Sequence, residues 1–208
     1  MSRRIVVIGG GEHARVLIEA IRAGADGREL LGFVDPETCE ETSRRLGVPR
    51  LGGEDVLEHH RGALGVLGFA ALESRDRRED AVRRLTPLLG GWAVVVHPSA
   101  WVSPTATVGE GSVIMARAVV QTGARIGAHC VVNTGAIVEH DAVLGEQVQL
   151  APGATLGGAA RIGAAAYVGM GAVVRDHTSV GAGATVGMGA VVVRDVAAGA
   201  RVMGVPAR

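Results

Sequence analysis

From Val102 to Val192 an aliphatic residue returns at every sixth position, beginning Val102, Val108, Ile114, Val120 and ending Val180, Val186, Val192. Four residues after most of them stands a small one, such as Ala106, Ser112, Ala118, Cys130, Ala142 or Thr178; Val148 and Val196 are the exceptions. An α-helix puts residues six apart on nearly opposite faces and a simple strand alternates every second residue, so the period belongs to neither. It is the mark of a parallel β-helix. Three short strands make one triangular coil of 18 residues, with the aliphatic pointing into the prism and the small residue packed near a corner. Sixteen aliphatics then give about five coils, a rod on the order of 25 Å long at roughly 4.8 Å per stacked strand.

An 18-residue period is also visible in Gly109, Gly127, Gly145, Gly163, Gly181 and Gly199. They form one column along an edge, where glycine serves a positive φ or the close approach of another backbone.

Before residue 97 the pattern is different. A buried strand at residues 3 to 8 runs into Gly9, Gly10 and Gly11, and an amphipathic helix follows from about Ala14 to Ala23, with Val16, Leu17, Ala20 and Ile21 on one face. A second strand, Leu30 to Val34, ends at Asp35-Pro36. Residues 36 to 52 read as a solvated connection with no site to offer. Further on come a helix near Gly53 to His60, a strand at Leu64 to Phe69, a helix near Glu73 to Leu88 and a strand at Trp92 to Val96. Gly9-x-Gly11-x-x-Ala14 with Asp35 some twenty residues later fits a dinucleotide fingerprint, but too little chain remains for a second mononucleotide half. The expectation is a half-Rossmann-like α/β domain over 1–96 that cradles one nucleotide at a helix N-terminus. The all-β β-helix domain then spans 97–208, with His97-Pro98 as the hinge. The competing reading is a tight βα turn without a ligand.

Charge and composition narrow the function. Lys plus Arg equals Asp plus Glu at 21 each, so no net field invites nucleic acid or a membrane surface. Cys39 and Cys130 fall in different domains and read as reduced thiols, and no apolar run approaches a leader or a membrane span. A cytoplasmic location is expected. The run Arg75, Asp76, Arg77, Arg78, Glu79, Asp80 reads as a solvated helix face.

Candidate chemistry comes from the six-residue frame. With Val138 and Ala142 inward, Glu139, His140 and Asp141 lie on the outer side of a coil. Two acids flanking an exposed histidine can orient its ring for proton abstraction near neutral pH. On spacing alone a solvated surface histidine is an equal reading.

The stretch Asn133-Thr134-Gly135-Ala136-Ile137-Val138-Glu139-His140-Asp141-Ala142-Val143-Leu144-Gly145, with the glycine loop and the tail Gly204-Val205-Pro206-Ala207-Arg208, resembles bacterial sugar acyltransferases that join a small nucleotide-binding domain to a left-handed β-helix. That group includes sialic acid O-acetyltransferase-like proteins and N-acetyltransferases of nucleotide-linked amino-sugars. The left hand comes from the resemblance, since the general crossover rule gives the opposite. The resemblance implies acetyl-CoA as co-substrate, no metal, and a homotrimer with active sites between subunits. It makes His140 the general base, Asp141 its orienting acid and Gly158 N–H the oxyanion donor. Asn133 would lie near the sugar; His13 and Asp35 would contact the nucleotide-sugar, and Gly9, Gly10 and Gly11 its phosphates. The coenzyme would run along the prism with its adenosine end toward the last coils, where Arg194, Arg201 and Arg208 could meet its phosphates. The nucleotide-binding domain would bring the sugar to His140. One departure stands out: nine residues after the base the group often carries a second histidine that can contact the acetyl carbonyl, and here it is Gln149, whose amide can donate a hydrogen bond but cannot carry a proton.

The implied reaction is direct transfer to the amine of a nucleotide-linked amino-deoxysugar, with a sugar hydroxyl as the alternative acceptor. Three other readings remain: a dehydrogenase on the glycine loop and Asp35, a zinc hydratase on the same β-helix, and a non-catalytic trimeric scaffold. The first leaves the hexapeptides unexplained. The second needs three converging histidines, whereas His129, His140 and His177 occupy unlike phases of the coil.

Overall fold

The computed structural model describes residues 4–24, 27–37, 39–70 and 75–208. The chain divides into two compact units, Met1–Val95 and Val96–Arg208.

In the first unit a parallel sheet of β1 (Arg4–Ile8), β2 (Glu29–Val34), β3 (Arg50–Gly52) and β4 (Leu64–Leu67) runs in the order β3-β2-β1-β4. Ile5, Val6, Val7 and Ile8 are all buried, as a central strand covered on both faces requires. Helix α1 (Glu12–Ala23) buries Ala14, Leu17, Ile18 and Ile21, the stripe that 100° steps bring together. Val16, expected on that face, is instead 47% exposed. Residues 36 to 52 are not an idle connection either: they hold α2 (Glu40–Leu46) and the sheet's edge strand β3. The segment Glu54–His60 is a 3₁₀ helix. The expected helix over 73 to 88 is α3 (Arg75–Leu85) followed by a 3₁₀ turn around Pro87, its first two positions lying outside the described residues. Of the expected strand at Trp92 to Val96, Trp92 makes only a bridge to Gly65, and Val95–Val96 is the regular part. The chain goes from β1 to β2 on one side and reaches β4 on the other, so a crevice opens at the carboxyl ends of β1 and β4.

In the second unit two-residue strands stack with matched registers into three parallel sheets. Face one carries Val113–Ile114, Val131–Val132, Gln149–Leu150, Tyr167–Val168 and Thr185–Val186. Face two carries Trp101–Val102, Val119–Val120, Ile137–Val138, Thr155–Leu156, Val173–Val174 and Val191–Val192. Face three carries Thr107–Val108, Arg125–Ile126, Val143–Leu144, Arg161–Ile162 and Ser179–Val180. Each periodic aliphatic is the second residue of a strand. Together with the small residues four positions on, they form one continuous core from Ile114 to Val196.

Three residues past each inward aliphatic from Val108 to Val186 the backbone turns through the left-handed region, from Gly111 and Arg117 to Asp141, His177 and Gly189. The glycine column does something else. A β-carbon on Gly127 would stand 2.6 Å from the carbonyl carbon of Gly145, and one on Gly145 would stand 2.7 Å from the nitrogen of Ala164. Close approach, not positive φ, requires glycine there. Gly199 leaves the column: it has φ +68 and open space around it. The cause is a coil shortened by two residues, in which Val196 pairs with Val180. Val196 is thus an inward strand residue and no misfit at a small position.

The two glycine classes predict different costs. Gly127→Ala should lose about 2–3 kcal/mol through backbone overlap, against about 1 kcal/mol for Gly183→Ala, whose φ of +66 is the sole obstacle. Urea denaturation of both variants checks the order.

Candidate active site

His140 lies two residues past the inward Val138, on the edge joining faces two and three. Its Nδ1 is 3.0 Å from Asp141 Oδ2, and the ring is half exposed. Because an ionised acid can only accept, Nδ1 donates to it, and in the neutral ring this leaves Nε2 as the acceptor. Asp141 reaches the ring from the left-handed corner position at φ +59. Gly123, one coil below, leaves room for its carboxylate: a β-carbon there would be 2.5 Å from Oδ1.

One coil above, His140 leans over Gly158, where a β-carbon would be 2.5 Å from Nε2. The peptide that follows Gly158 is pinned on both sides, Ala159 N–H donating to His140 O at 2.8 Å and His177 N–H donating to Gly158 O at 2.9 Å. The Gly158 N–H itself meets no acceptor among the described residues. The equivalent N–H of His140 is occupied, donating to Glu139 Oε2 at 3.3 Å. An exposed imidazole and the free N–H of the buried Gly158 beneath it therefore meet at one corner. This pairing suits proton removal from a nucleophile and stabilisation of a developing oxyanion.

The same edge continues through Asp176 to Arg194, three coils beyond His140, about 14 Å at the stacking distance of roughly 4.8 Å. The C-terminal tail folds back there, with Ala207 N–H donating to Val191 O and Met203 and Arg208 exchanging backbone bonds. Arg194 and Arg208 line one concavity of about 180 Å³ with Val193, Pro206 and Ala207. Arg201 pairs with Thr185 on face one and does not join them.

In the first unit the glycine loop follows β1 into the crevice. Gly9 has φ +99, and the Gly10 N–H donates to Asp35 Oδ2 at 2.6 Å. Asp35 Oδ1 accepts from Glu37 N–H, so this buried carboxylate shapes the loop. Gly11 caps α1 and faces open space. His13 Nε2 is buried without a hydrogen-bond partner among the described residues. Burial, aided by the Arg78 charge, pushes its pKa down to about 4. The Cys39 thiol is pushed up by burial and by Asp35, which keeps it protonated.

Comparison with known proteins fits both units. No family model matches the sequence. UDP-N-acetylbacillosamine N-acetyltransferase of Bacillus subtilis is 37% identical over 116 residues, 55% of this chain; the match spans about half (52%) of that relative's length. Among solved structures, the acetyltransferase domain of PglB from Neisseria gonorrhoeae, in complex with acetyl coenzyme A, superimposes with a TM-score of 0.90 at 36% identity, over 100% of this chain and 99% of that one. A histidine-to-asparagine variant of perosamine N-acetyltransferase from Caulobacter crescentus, in complex with CoA and GDP-perosamine, gives 0.88 at 34% identity over 98% and 95%. The chain belongs to the hexapeptide-repeat nucleotide-sugar N-acetyltransferases.

Membership of the N-acetyltransferases identifies the coil as the left-handed β-helix. It also sharpens where the remaining candidates lie. Asn133 sits on the edge between faces one and two, its Oδ1 accepting from Thr134 N–H at 2.7 Å. Gln149 is 3% exposed on face one, the side of the prism opposite the His140 edge. A single chain does not bring Gln149 and His140 together. Among the described residues no three His, Cys, Asp or Glu side chains converge on a metal position, and no helix is long and apolar enough to cross a membrane.

Arg78 is the main correction to the sequence reading. Far from solvated, it is 2% exposed, and its guanidinium donates to the Phe69 carbonyl beyond β4. The signal was present: Arg78, Ala81 and Leu85 share one helical stripe, and all three are buried. Phe69 was read only as a strand end, yet its ring packs against Gly9 and lies beneath the Arg77 guanidinium at 4.7 Å.

The depressed His13 pKa sets a pH dependence. The unfolded chain takes up this proton near 6.5 and the folded one only near 4, so stability should fall as pH drops through that window. Replacing His13 with Asn should remove this part of the fall, as followed by thermal melts across the range.

Proposed function

We propose that this chain transfers an acetyl group from acetyl-CoA to the amine of a nucleotide-linked amino-deoxysugar. The observation that carries the reading is the corner where His140 Nε2 leans over Gly158, beside a free N–H and with Nδ1 held by Asp141. His140 takes the proton from the sugar amine as its nitrogen attacks the thioester carbon. Gly158 N–H holds the oxyanion of the tetrahedral intermediate, and collapse expels the CoA thiolate. Asp141 keeps Nε2 aimed and stabilises the imidazolium that forms. No covalent enzyme intermediate is needed.

Arg194 and Arg208, which line one concavity, would meet the phosphates of the coenzyme. In the first unit the free first turn of α1, the glycine loop and His13 suit the diphosphate of the sugar nucleotide, and Asp35 supports the loop. Asn133 and Gln149 would complete the acceptor and acyl contacts. A homotrimer with sites between subunits, which the family resemblance implies, would have to bring a second copy's Gln149 beside His140, although that side chain is 3% exposed in its own chain. The outward row of face two, with Trp101 57% and Val173 41% exposed, offers an apolar contact for such a copy. A cytoplasmic location, where both nucleotide-sugars and acetyl-CoA are found, agrees with the free thiols.

Thiol release from acetyl-CoA against a panel of UDP-, GDP- and dTDP-linked amino-sugars tests the reading, and no release with any of them would sink it. His140→Ala should cut transfer at least about a hundredfold while leaving the melting temperature and the trimer unchanged. Gly158→Ala should also abolish most activity, because the added methyl drives the imidazole off its position. Wild-type turnover in either variant would remove this corner from the chemistry.

A further inference from the structure

Two coils below His140, where the edge between faces two and three begins, three hydroxyls form a chain. Thr105 Oγ1 lies 3.0 Å from Ser103 Oγ and 2.8 Å from Thr122 Oγ1, and it also accepts the Gly123 N–H at 3.2 Å. We propose that Thr105 is a positioning residue for the acid–base pair: it sets the Thr122–Gly123 corner on which Asp141 is seated, and through Asp141 it selects the His140 tautomer. The catalytic part of this role rests on the acyl-transfer reading of the same edge.

Higher on this edge each left-handed residue gives its N–H to a carbonyl one coil below, Asp141 to Thr122 O at 3.0 Å, Ala159 to His140 O and His177 to Gly158 O. Gly123 is the next such residue down, at φ +69. Beneath it lies the first coil of the rod, and Thr105, three residues past Val102, is not left-handed; those corners begin at Gly111. The Gly123 N–H goes to the Thr105 hydroxyl instead. Ser99 does the same on the edge between faces one and two, its Oγ accepting the Arg117 N–H at 3.2 Å. A side-chain oxygen thus stands in for the backbone acceptor of the later coils. Its own place is fixed by Ser103, which is 8% exposed and whose Oγ accepts the Thr105 N–H at 3.3 Å.

The corner held in this way carries Asp141. The Thr122 carbonyl accepts the Asp141 N–H, and Gly123 opens the space that the carboxylate fills. That carboxylate is 3.0 Å from His140 Nδ1. A tilt of the 122–123 peptide moves both the acceptor of the Asp141 N–H and the floor under its acid. With the acid displaced, the neutral ring can place its hydrogen on Nε2, and the lone pair that would take a proton from the sugar amine is lost. Thr105 itself stands about 10 Å from His140, two coils at roughly 4.8 Å each, so it acts only through the corner.

Ring ¹⁵N spectra of the full chain with labelled histidine test the role without substrate, the His140 signals being identified by their loss in His140→Ala. Wild type should carry the hydrogen on Nδ1. Thr105→Val keeps the shape and removes the hydroxyl, so a second population with the hydrogen on Nε2 should appear. The melting temperature should hold, because the bond lies at the surface where water replaces it. With acetyl-CoA and the UDP-, GDP- or dTDP-linked amino-sugar that the wild type accepts, kcat should fall about threefold to tenfold, the worth of one hydrogen bond, while both KM values hold. Thr105→Ser should restore the tautomer and the rate. Ser99→Ala, which removes the like bond from the other edge, should leave the His140 tautomer as in wild type. An unchanged tautomer in Thr105→Val would overturn the proposal, as would hydrogen on Nε2 in the wild type or the same shift in Ser99→Ala, the sign of a generally loosened first coil. A shifted tautomer with wild-type kcat would overturn the catalytic part. Absence of transfer by the wild type to all of these sugars would overturn the acyl-transfer reading, and the tautomer would still decide whether Thr105 seats the acid.

Discussion

Everything functional in the second unit depends on one packing constraint: an aliphatic side chain must enter the prism at every sixth residue and a small one must follow at the corner. Because each strand up to Val191–Val192 pairs with the strand 18 residues earlier through backbone bonds, that constraint fixes which residues share an edge. His140, Gly158, Asp176 and Arg194 are far apart in sequence but collinear in space for this reason alone. The core decides the side on which chemistry can occur, and the outward residues are free to supply it.

The corner geometry adds a second level of control. A left-handed residue at each turn from Gly111 to Gly189 fixes the course of the backbone there, so donors and acceptors at the edge are set before any side chain acts. At the His140 corner one N–H is occupied by Glu139 while the next, at Gly158, is left open. Glycine at 123 and 158 opens space for a carboxylate below and an imidazole above. The arrangement is preorganised, which is how fixed dipoles lower a barrier without moving during the reaction.

The β-helix was legible because its period is strict and belongs to no other element. The same period placed His140 and Gly158 one coil apart, and their contact follows from it. What escaped had weaker signals. Helix α2 is seven residues long, with left-handed backbone at both caps and one buried side chain, Thr42, too little apolar surface to announce itself. Arg78 was hidden in a run of charges whose helical stripe went unread, and its burial depends on a carbonyl at the end of β4 that no local pattern reveals. Gly199 kept the 18-residue spacing only because two residues are missing from its coil. Spacing alone could not separate that coincidence from the glycine column.

Stacked registers also impose a discrete length scale on the edge. The separation between the imidazole at residue 140 and the guanidinium at residue 194 can change only by whole coils, in steps of roughly 4.8 Å, since a partial insertion would break the pairing of every later strand. The register holds through Val192, which pairs with Val174; only after it, where Val196 pairs with Val180, does the coil shed two residues. The rod thus acts as a graduated gauge, setting in whole coils how far apart the outward residues of one edge can stand.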